Sequence, residues 1–275
     1  MPTITNLHIY PIKSCAGVTL QQAMLTAAGI EGDRAFMLVT PDGRMLSQRS
    51  HPTMALIRPR PADRGLRVAV HDRDDLEIEV DPSGPDIEVK LFRDNLTLVD
   101  QGNVAADWFS SVLGGPCRLV WSGTDLMRTG AVGDGPVGTG NLGQLSTRQF
   151  YDAGPLLLCN QASLDRFNRQ RGGNAVSIDR FRPNIVVTGA PAGDELTWPG
   201  LRGREVALRN RLPCERCELP NVDQETGRVD QDVYQDLRSH VARLDDRYSA
   251  GYPFGAYMGA LQTGGISVGE ELTVA

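Results

Sequence analysis

The sequence predicts an α+β fold that is mainly β and consists of two domains. The chain has 275 residues, which exceeds the usual size of one domain and allows two moderate cores. Hydrophobic residues make up 40% and charged residues 23% of the chain, the ordinary balance of a globular protein. Short segments of alternating apolar and polar residues, bounded by Pro, Gly and Asp, recur over the first hundred residues. We therefore predict a β-rich domain over residues 1–100 and a second domain over residues 101–275.

The individual elements follow from the apolar pattern. In the first domain, strands are predicted at residues 3–10, 35–40, 54–58, 66–71, 76–80 and 87–90. Apolar residues at helical spacing then predict a helix over 103–113, which the pair Gly114 and Gly115 ends. The rest of the second domain is predicted to contain helices at about 162–170 and 232–244, and strands at 183–188, 205–210 and near Thr273.

A glycine-rich stretch interrupts the second domain. Residues 129–143 contain six glycines and little apolar periodicity, which predicts a mobile surface loop. Within it, residues 138–143 have the GxGxxG spacing of a dinucleotide-binding turn, but no convincing strand precedes them. We interpret this match as a coincidence of glycine content.

Charge and hydropathy exclude several classes of protein. The net charge is −6 and the pI is near 5.3, whereas nucleic-acid binding rests on many contacts from Lys and Arg to phosphates. Nucleic acid is therefore not a predicted partner. The first residues lack a basic stretch followed by an apolar one, and no apolar run reaches the ~20 residues that a membrane span needs. We expect a cytoplasmic protein without a membrane span.

Cys214 and Cys217 form a CxxC pair between Pro213 and Pro220, which favour an extended or turning backbone. A zinc site needs about four ligands, and only His240 follows the pair, so zinc is disfavoured. A redox dithiol is expected at the beginning of a helix, which the downstream proline opposes. A soft metal centre needs a single thiolate, which either cysteine can supply. The spacing alone does not choose between a dithiol and a single-thiolate site.

Four separated motifs resemble, in the same order, those of the MOSC superfamily, in particular the group that contains the amidoxime-reducing components. They are YPIKSC at 10–15, a DR pair at 33–34, FRPNIV at 181–186, and a block over 214–227 that combines CERC, VD and TG. Weaker similarities at 151–152, 161–164 and 254–257 extend the resemblance over almost the whole chain. The resemblance implies an N-terminal β-rich domain packed on a MOSC-type β-barrel domain, with a molybdenum cofactor (molybdopterin) in the cleft between them.

The resemblance also implies roles for individual residues. Cys217 is implied as the molybdenum ligand and as a catalytic residue, together with Asp152, for which substrate orientation or proton relay is expected. The implied cofactor-binding residues are Lys13, Ser14, Arg34, Arg182, Asn184 and Cys217. These residue types suit a cofactor with a phosphate and a polar pterin, because fixed cations and hydrogen-bond donors bind both.

Each of these assignments has a simpler alternative. The cations could be solvated at the surface, Asn184 could satisfy backbone groups at the start of a strand, and Asp152 could cap a turn. The chain also departs from its relatives, which have hydroxyl residues after the aspartate, where Ala153 and Gly154 stand here. Side-chain contacts to the cofactor are therefore expected to be fewer at this point.

The function that the resemblance implies is two-electron reduction of N-hydroxylated compounds, namely amidoximes, hydroxylamines and N-hydroxylated bases, at a Cys-ligated molybdenum. The implied partners are the small-molecule substrate and a separate electron-donor protein of the ferredoxin, flavoprotein or cytochrome b5 type, because no cysteine-rich cluster motif follows the second domain. Two alternatives stay open. One is a carrier or sulfur-transfer protein for the cofactor, as in the C-terminal part of molybdenum-cofactor sulfurases, and the other is a CxxC dithiol oxidoreductase.

Overall fold

The structure is a computed structural model that describes residues 1–92, 94–123, 150–152, 154–230, 232–239 and 253–275. The glycine-rich stretch 129–143 and the helical residues predicted at 240–244 lie outside these ranges. Within the described ranges, no helix is both long and apolar enough to cross a membrane.

Strands predominate over helices in the described part of the chain. In chain order the strands are β1 Thr3–Ile9, β2 Val18–Leu20, β3 Gln22–Thr26, β4 Gly29–Ile30, β5 Phe36–Val39, β6 Arg58–Ala62, β7 Gly65–Ala69, β8 Leu76–Glu79, β9 Asp86–Leu91, β10 Asp94–Asp100, β11 Arg118–Trp121, β12 Leu156–Asn160, β13 Ile185–Thr188, β14 Gly200–Arg202, β15 Ala207–Glu215, β16 Pro253–Gln262, β17 Gly264–Ser267 and β18 Thr273–Val274. The α-helices are α1 Gly102–Leu113, α2 Gln161–Arg171 and α3 Asp232–Ser239, and short 3-10 helices form at Pro52–Leu56, Ile178–Phe181, Asp194–Leu196 and Leu219–Asn221. The predicted α+β, mainly β fold class is confirmed.

The largest sheet joins the two ends of the sequence. Its order is β18–β14–β15–β16–β12–β13–β1–β2. β1 is antiparallel to β13, with Leu7 opposite Ile185, and β12 is parallel to β13, with Leu158 opposite Ile185. β12 is buried along its whole length and β13 along most of it, which explains why both are continuous apolar runs. This pairing brings the residues that follow β1 beside those that precede β13.

The first half of the chain also forms two smaller sheets, β5–β11–β10–β9 and β6–β7–β8. Here the apolar alternation is clear, since β8 buries Leu76 and Ile78 and exposes Glu77 and Glu79. Helix α1 packs Phe109 into the same core cluster as β8 and ends at Gly114, whose φ of 71° suits glycine. A further sheet, β17–β3–β4, connects residues near the C-terminus to this half of the chain.

One predicted strand is wrong, and one is longer than predicted. Residues Pro52–Leu56 form a 3-10 helix, and the next strand begins only at Arg58. Pro52 fixes the torsion of the first turn, and the adjacent residues Met54 and Ala55 are both buried, which a half-buried strand does not allow. The strand predicted at 205–210 is β15, which extends to residue 215 and therefore includes Cys214. The division into domains at residue 100 remains a prediction.

Candidate functional site

The segment that follows β1 carries Lys13 into the interior. Ile12 forms a parallel bridge with Phe36 at the start of β5, and the backbone N–H of Lys13 donates to the Phe36 carbonyl at 2.8 Å. The Lys13 ammonium donates to the Phe150 carbonyl at 2.8 Å and forms an ion pair with Asp152. The Lys13 side chain is buried whereas that of Asp152 is half exposed, so this pair lies where the interior meets solvent.

The electrostatics of Asp152 limit what it can do. Desolvation by neighbouring protein atoms opposes its ionisation, but Lys13, together with Arg34 and Arg49, lowers the pKa of Asp152 to about 2. Asp152 is therefore an anion at neutral pH. An anionic carboxylate accepts hydrogen bonds and has no proton to donate, so this environment favours orientation of a bound molecule over proton delivery.

Backbone strain is concentrated at the predicted site residues. The φ angle is 66° at Ser14, 51° at Arg34 and 55° at Arg182, in the left-handed region. Among the described non-glycine residues, only Asp72 and Phe92 share this conformation. It costs about 1–3 kcal/mol at each position, and such residues cluster at ligand-binding sites because the surrounding structure has to impose them.

Two of the predicted cations stack on the ring of Tyr10. The guanidinium carbon lies 4.7 Å from the ring centroid for Arg34 and 4.1 Å for Arg182. The Tyr10 hydroxyl donates to the Pro183 carbonyl at 3.0 Å. Burial raises the pKa of Tyr10, so the ring stays neutral beside two positive charges. The stacking fixes both guanidinium groups in a small, partly dehydrated region.

Arg34 is held by partners from both halves of the chain. It forms an ion pair with Asp33, donates to the Asn184 side-chain oxygen at 3.2 Å, and donates to the Arg182 carbonyl at 3.4 Å. Asn184 is completely buried. Its side-chain oxygen also accepts from the Leu157 N–H at 3.1 Å, and its amide donates to the His8 carbonyl at 3.1 Å. In this arrangement Asn184 positions Arg34 and the adjacent strands, and its direct contact with a cofactor remains a prediction.

Arg182 has unused hydrogen-bonding capacity. Its Nη1 donates to the side-chain oxygen of Gln224 at 3.2 Å, and Gln224 exchanges two amide hydrogen bonds with Gln48. Among the described residues, its Nη2 is buried without a hydrogen-bond partner. Burial and the charge of Arg34 lower the pKa of Arg182 to about 10, although Tyr10 opposes this effect. A buried cation with a free donor is a binding position for an anionic or oxygen-rich group.

The CxxC segment separates its two thiols. Cys214 lies in β15 and is 1% exposed, whereas Cys217 follows the strand and is exposed. Arg216 connects this segment to the residue that precedes Arg182, because its guanidinium donates to the Cys214 sulfur at 3.0 Å and to the Phe181 carbonyl at 2.9 Å. Arg216 and Phe181, which share this hydrogen bond, directly precede Cys217 and Arg182 in the sequence.

Tyr257 completes the connection between the two parts of the site. Burial, and then the nearby Cys214 and Asp152, raise the pKa of Tyr257 well above its usual value. A Cβ atom at Gly154 would lie 2.9 Å from the Cβ of Tyr257. The tyrosine therefore occupies the space that a side chain at position 154 would need.

The sequence did not single out several of these contacts. Asp33, Arg216 and Tyr257 lie inside the quoted motifs, where their types gave no sign of a separate role. Gln48 and Gln224 had no sequence signal, because an amide pair 176 residues apart is visible only in space. Among the described residues, no group of three or more His, Cys, Asp and Glu is arranged to hold a metal ion, so a metal here would need additional ligands from a cofactor.

Comparison with known proteins defines the class. Models of the MOSC N-terminal beta barrel domain and of the MOSC domain match residues 1–116 and 146–273. The human mitochondrial amidoxime reducing component 2 is 32% identical, over 98% of this chain and 82% of that protein. The bovine molybdenum cofactor sulfurase is 27% identical, over 93% of this chain but only 30% of that protein. The crystal structure of the YuaD protein of Bacillus subtilis is 11% identical, covers 99% of this chain and 94% of that one, and has a TM-score of 0.44.

The fold and the site thus define a mainly β protein with a cluster of cations and an exposed thiol. The chain belongs to the MOSC family, and it matches both the MOSC N-terminal beta barrel domain and the MOSC domain. Its relatives include oxidoreductases and cofactor-processing proteins, so a function related to the molybdenum cofactor follows from this membership.

Proposed function

We propose that the protein is a molybdenum-cofactor-dependent reductase of N-hydroxylated compounds. The observation that carries the proposal is the Nη2 of buried Arg182, which has no hydrogen-bond partner among the described residues. The hydrogen bond from Arg216 to the Phe181 carbonyl places the segment of exposed Cys217 beside the segment of Arg182. Phosphate and pterin oxygens would satisfy this donor, and the Cys217 thiolate would bind the metal.

Several residues of the cluster would bind the cofactor together. Lys13, Ser14 and Arg34 would hold the phosphate or pterin from the N-terminal side, and Arg182 would do so from the MOSC domain. Asn184 would keep Arg34 in place, as its hydrogen bonds indicate. When bound, the cofactor would supply the two electrons for cleavage of the N–O bond, and the net reaction consumes two protons and releases the amine or amidine and water.

Asp152 would orient the substrate. Because its pKa is about 2, it is an acceptor at neutral pH for the N–H and O–H groups of an amidoxime. Its half-exposed position beside Lys13 leaves room for such a group. The protons consumed in the reaction would therefore come from solvent rather than from this carboxylate.

The donor of electrons would be a separate protein of the ferredoxin, flavoprotein or cytochrome b5 type, because the cluster holds one thiol suited to a metal and no second redox group among the described residues. A cytoplasmic location remains a prediction.

The test is turnover of an amidoxime with an artificial electron donor, by protein expressed in a host that makes the cofactor. Wild-type protein is expected to form the amidine, Cys217→Ser to lose this activity, and the matched variant Cys214→Ser to retain most of it. Full activity in cofactor-loaded Cys217→Ser protein would refute the mechanism.

A carrier or sulfur-transfer role is the second candidate, and the match to the bovine molybdenum cofactor sulfurase is the observation that favours it. A carrier would contain bound cofactor and show no turnover in the same assay. A dithiol oxidoreductase would show no molybdenum and would need both cysteines, which the burial of Cys214 disfavours.

A further inference from the structure

Phe92 is an exposed aromatic residue in a backbone conformation that favours glycine. Its side chain is 40% exposed and its φ is 55°. Leu91 of β9 pairs with Asp94 of β10, so Phe92 begins a two-residue hairpin connection. The first position of such a connection requires a positive φ, which Asn, Asp or Gly adopt at least cost. A phenylalanine here is unfavourable for the backbone, and 40% of its surface stays exposed, so burial alone does not account for its position.

The position of Phe92 relates it to the site. The Lys13 ammonium lies 5.5 Å from the centroid of the Phe92 ring, and the same ammonium binds Asp152 and the Phe150 carbonyl. Five described non-glycine residues have a positive φ. Three of them are predicted cofactor-binding residues, and a fourth is this phenylalanine. The ring stands beside the ion pair, at the place where the site opens to solvent.

We propose that Phe92 is a specificity-determining residue, whose ring contacts a planar apolar substituent of the substrate. The choice of substrates rests on the proposed reductase function. Asp152 would accept hydrogen bonds from the N-hydroxylated head group, and the exposed ring of Phe92 would cover an aryl group attached to it. Aryl amidoximes are then bound more tightly than alkyl amidoximes with the same head group.

The test compares Phe92→Gly with the matched control Asp72→Gly. Asp72 is also a non-glycine residue with a positive φ, 61°, but its side chain is 84% exposed in a turn beside His71. Both substitutions relieve backbone strain, but glycine also raises the entropy of the unfolded chain, so both are expected to change Tm by no more than about 2–4 °C. Only Phe92→Gly is expected to raise KM for an aryl amidoxime, by about tenfold, while KM for an alkyl amidoxime and kcat for both stay unchanged. Phe92→Tyr keeps the ring and is expected to restore the wild-type KM.

Equal changes in KM for the aryl and alkyl substrates, or no change in either, would overturn the inference while leaving the reductase function intact. If the wild-type protein turns over neither substrate, the reductase function fails, and binding of the aryl amidoxime measured by calorimetry decides about Phe92. Weaker binding to Phe92→Gly than to wild type and Asp72→Gly would support the inference. Equal binding, or no binding to wild type, would overturn it.

Discussion

Replacement of Arg182 by Met tests whether this cation binds a ligand or stabilises the fold. The folded protein lowers the pKa of Arg182 to about 10, chiefly through burial and the charge of Arg34. At about 1.4 kcal/mol for each pKa unit, the surroundings of Arg182 together destabilise its charged form by about 3 kcal/mol. Arg182→Met removes this cost, but it also removes the hydrogen bond to Gln224 and the stacking on Tyr10, together about 1–3 kcal/mol. The two contributions nearly cancel, so the free energy of unfolding of cofactor-free protein should change by less than about 2 kcal/mol.

Arg180→Met is the matched control. Arg180 donates to the carbonyls of Pro220 and Asn221 and to the carboxylate of Asp223, so its loss leaves three acceptors without this partner. This variant should be destabilised by about 3 kcal/mol. Urea unfolding measures both free energies, and extraction of the cofactor measures occupancy, which should fall at least about tenfold in Arg182→Met. If Arg182→Met is as unstable as the control and retains full cofactor occupancy, the role of Arg182 is structural and the reasoning is refuted.

Three further predictions follow from burial and hydrogen bonding. In native cofactor-free protein, a thiol reagent should label Cys217 alone, because the other four cysteines are buried, and rapid labelling of Cys214 would contradict this. Because the pKa of Asp152 is about 2, below its usual 3.8, its ion pair with Lys13 stabilises the fold above about pH 4 and is lost as pH falls towards 2. Asp152→Asn should reduce the change in the free energy of unfolding over this pH range by about 1 kcal/mol or less, because Asp152 is half exposed. An unchanged slope of stability against pH would contradict this prediction. Asn184→Ala should lower the free energy of unfolding by about 2–4 kcal/mol in urea titrations, and a loss below about 1 kcal/mol would show that its hydrogen bonds matter little.

The sequence predicted those elements whose pattern is imposed by one buried face. β8 alternates cleanly, and the apolar residues of α1 recur at helical spacing, so both were found within a residue of their ends. β12 was missed because a strand that is buried along its whole length shows no alternation. β15 was predicted too short, since Pro213 and Cys214 at its end read as a loop although they belong to the sheet.

The candidate site was visible in the sequence as residue types but not as a network. The motifs supply Lys13, Arg34 and Arg182, and the pairing of β1 with β13 explains why these residues lie in the same cluster. The stacking of both arginines on Tyr10 and the use of Asn184 as a support for Arg34 depend on tertiary contacts across about half of the chain. Phe92 had no sequence signal, because its torsion and its distance to Lys13 become apparent only in the folded hairpin.

Elemental analysis with cofactor extraction tests the central claim most directly. Wild-type protein and Cys217→Ser are purified from the same cofactor-competent host, and molybdenum is measured for each chain together with the extracted pterin. We expect about one molybdenum and one pterin for each wild-type chain, and a large loss of bound metal in Cys217→Ser. Wild-type protein without molybdenum, or a Cys217→Ser variant with its full complement of metal, would contradict it.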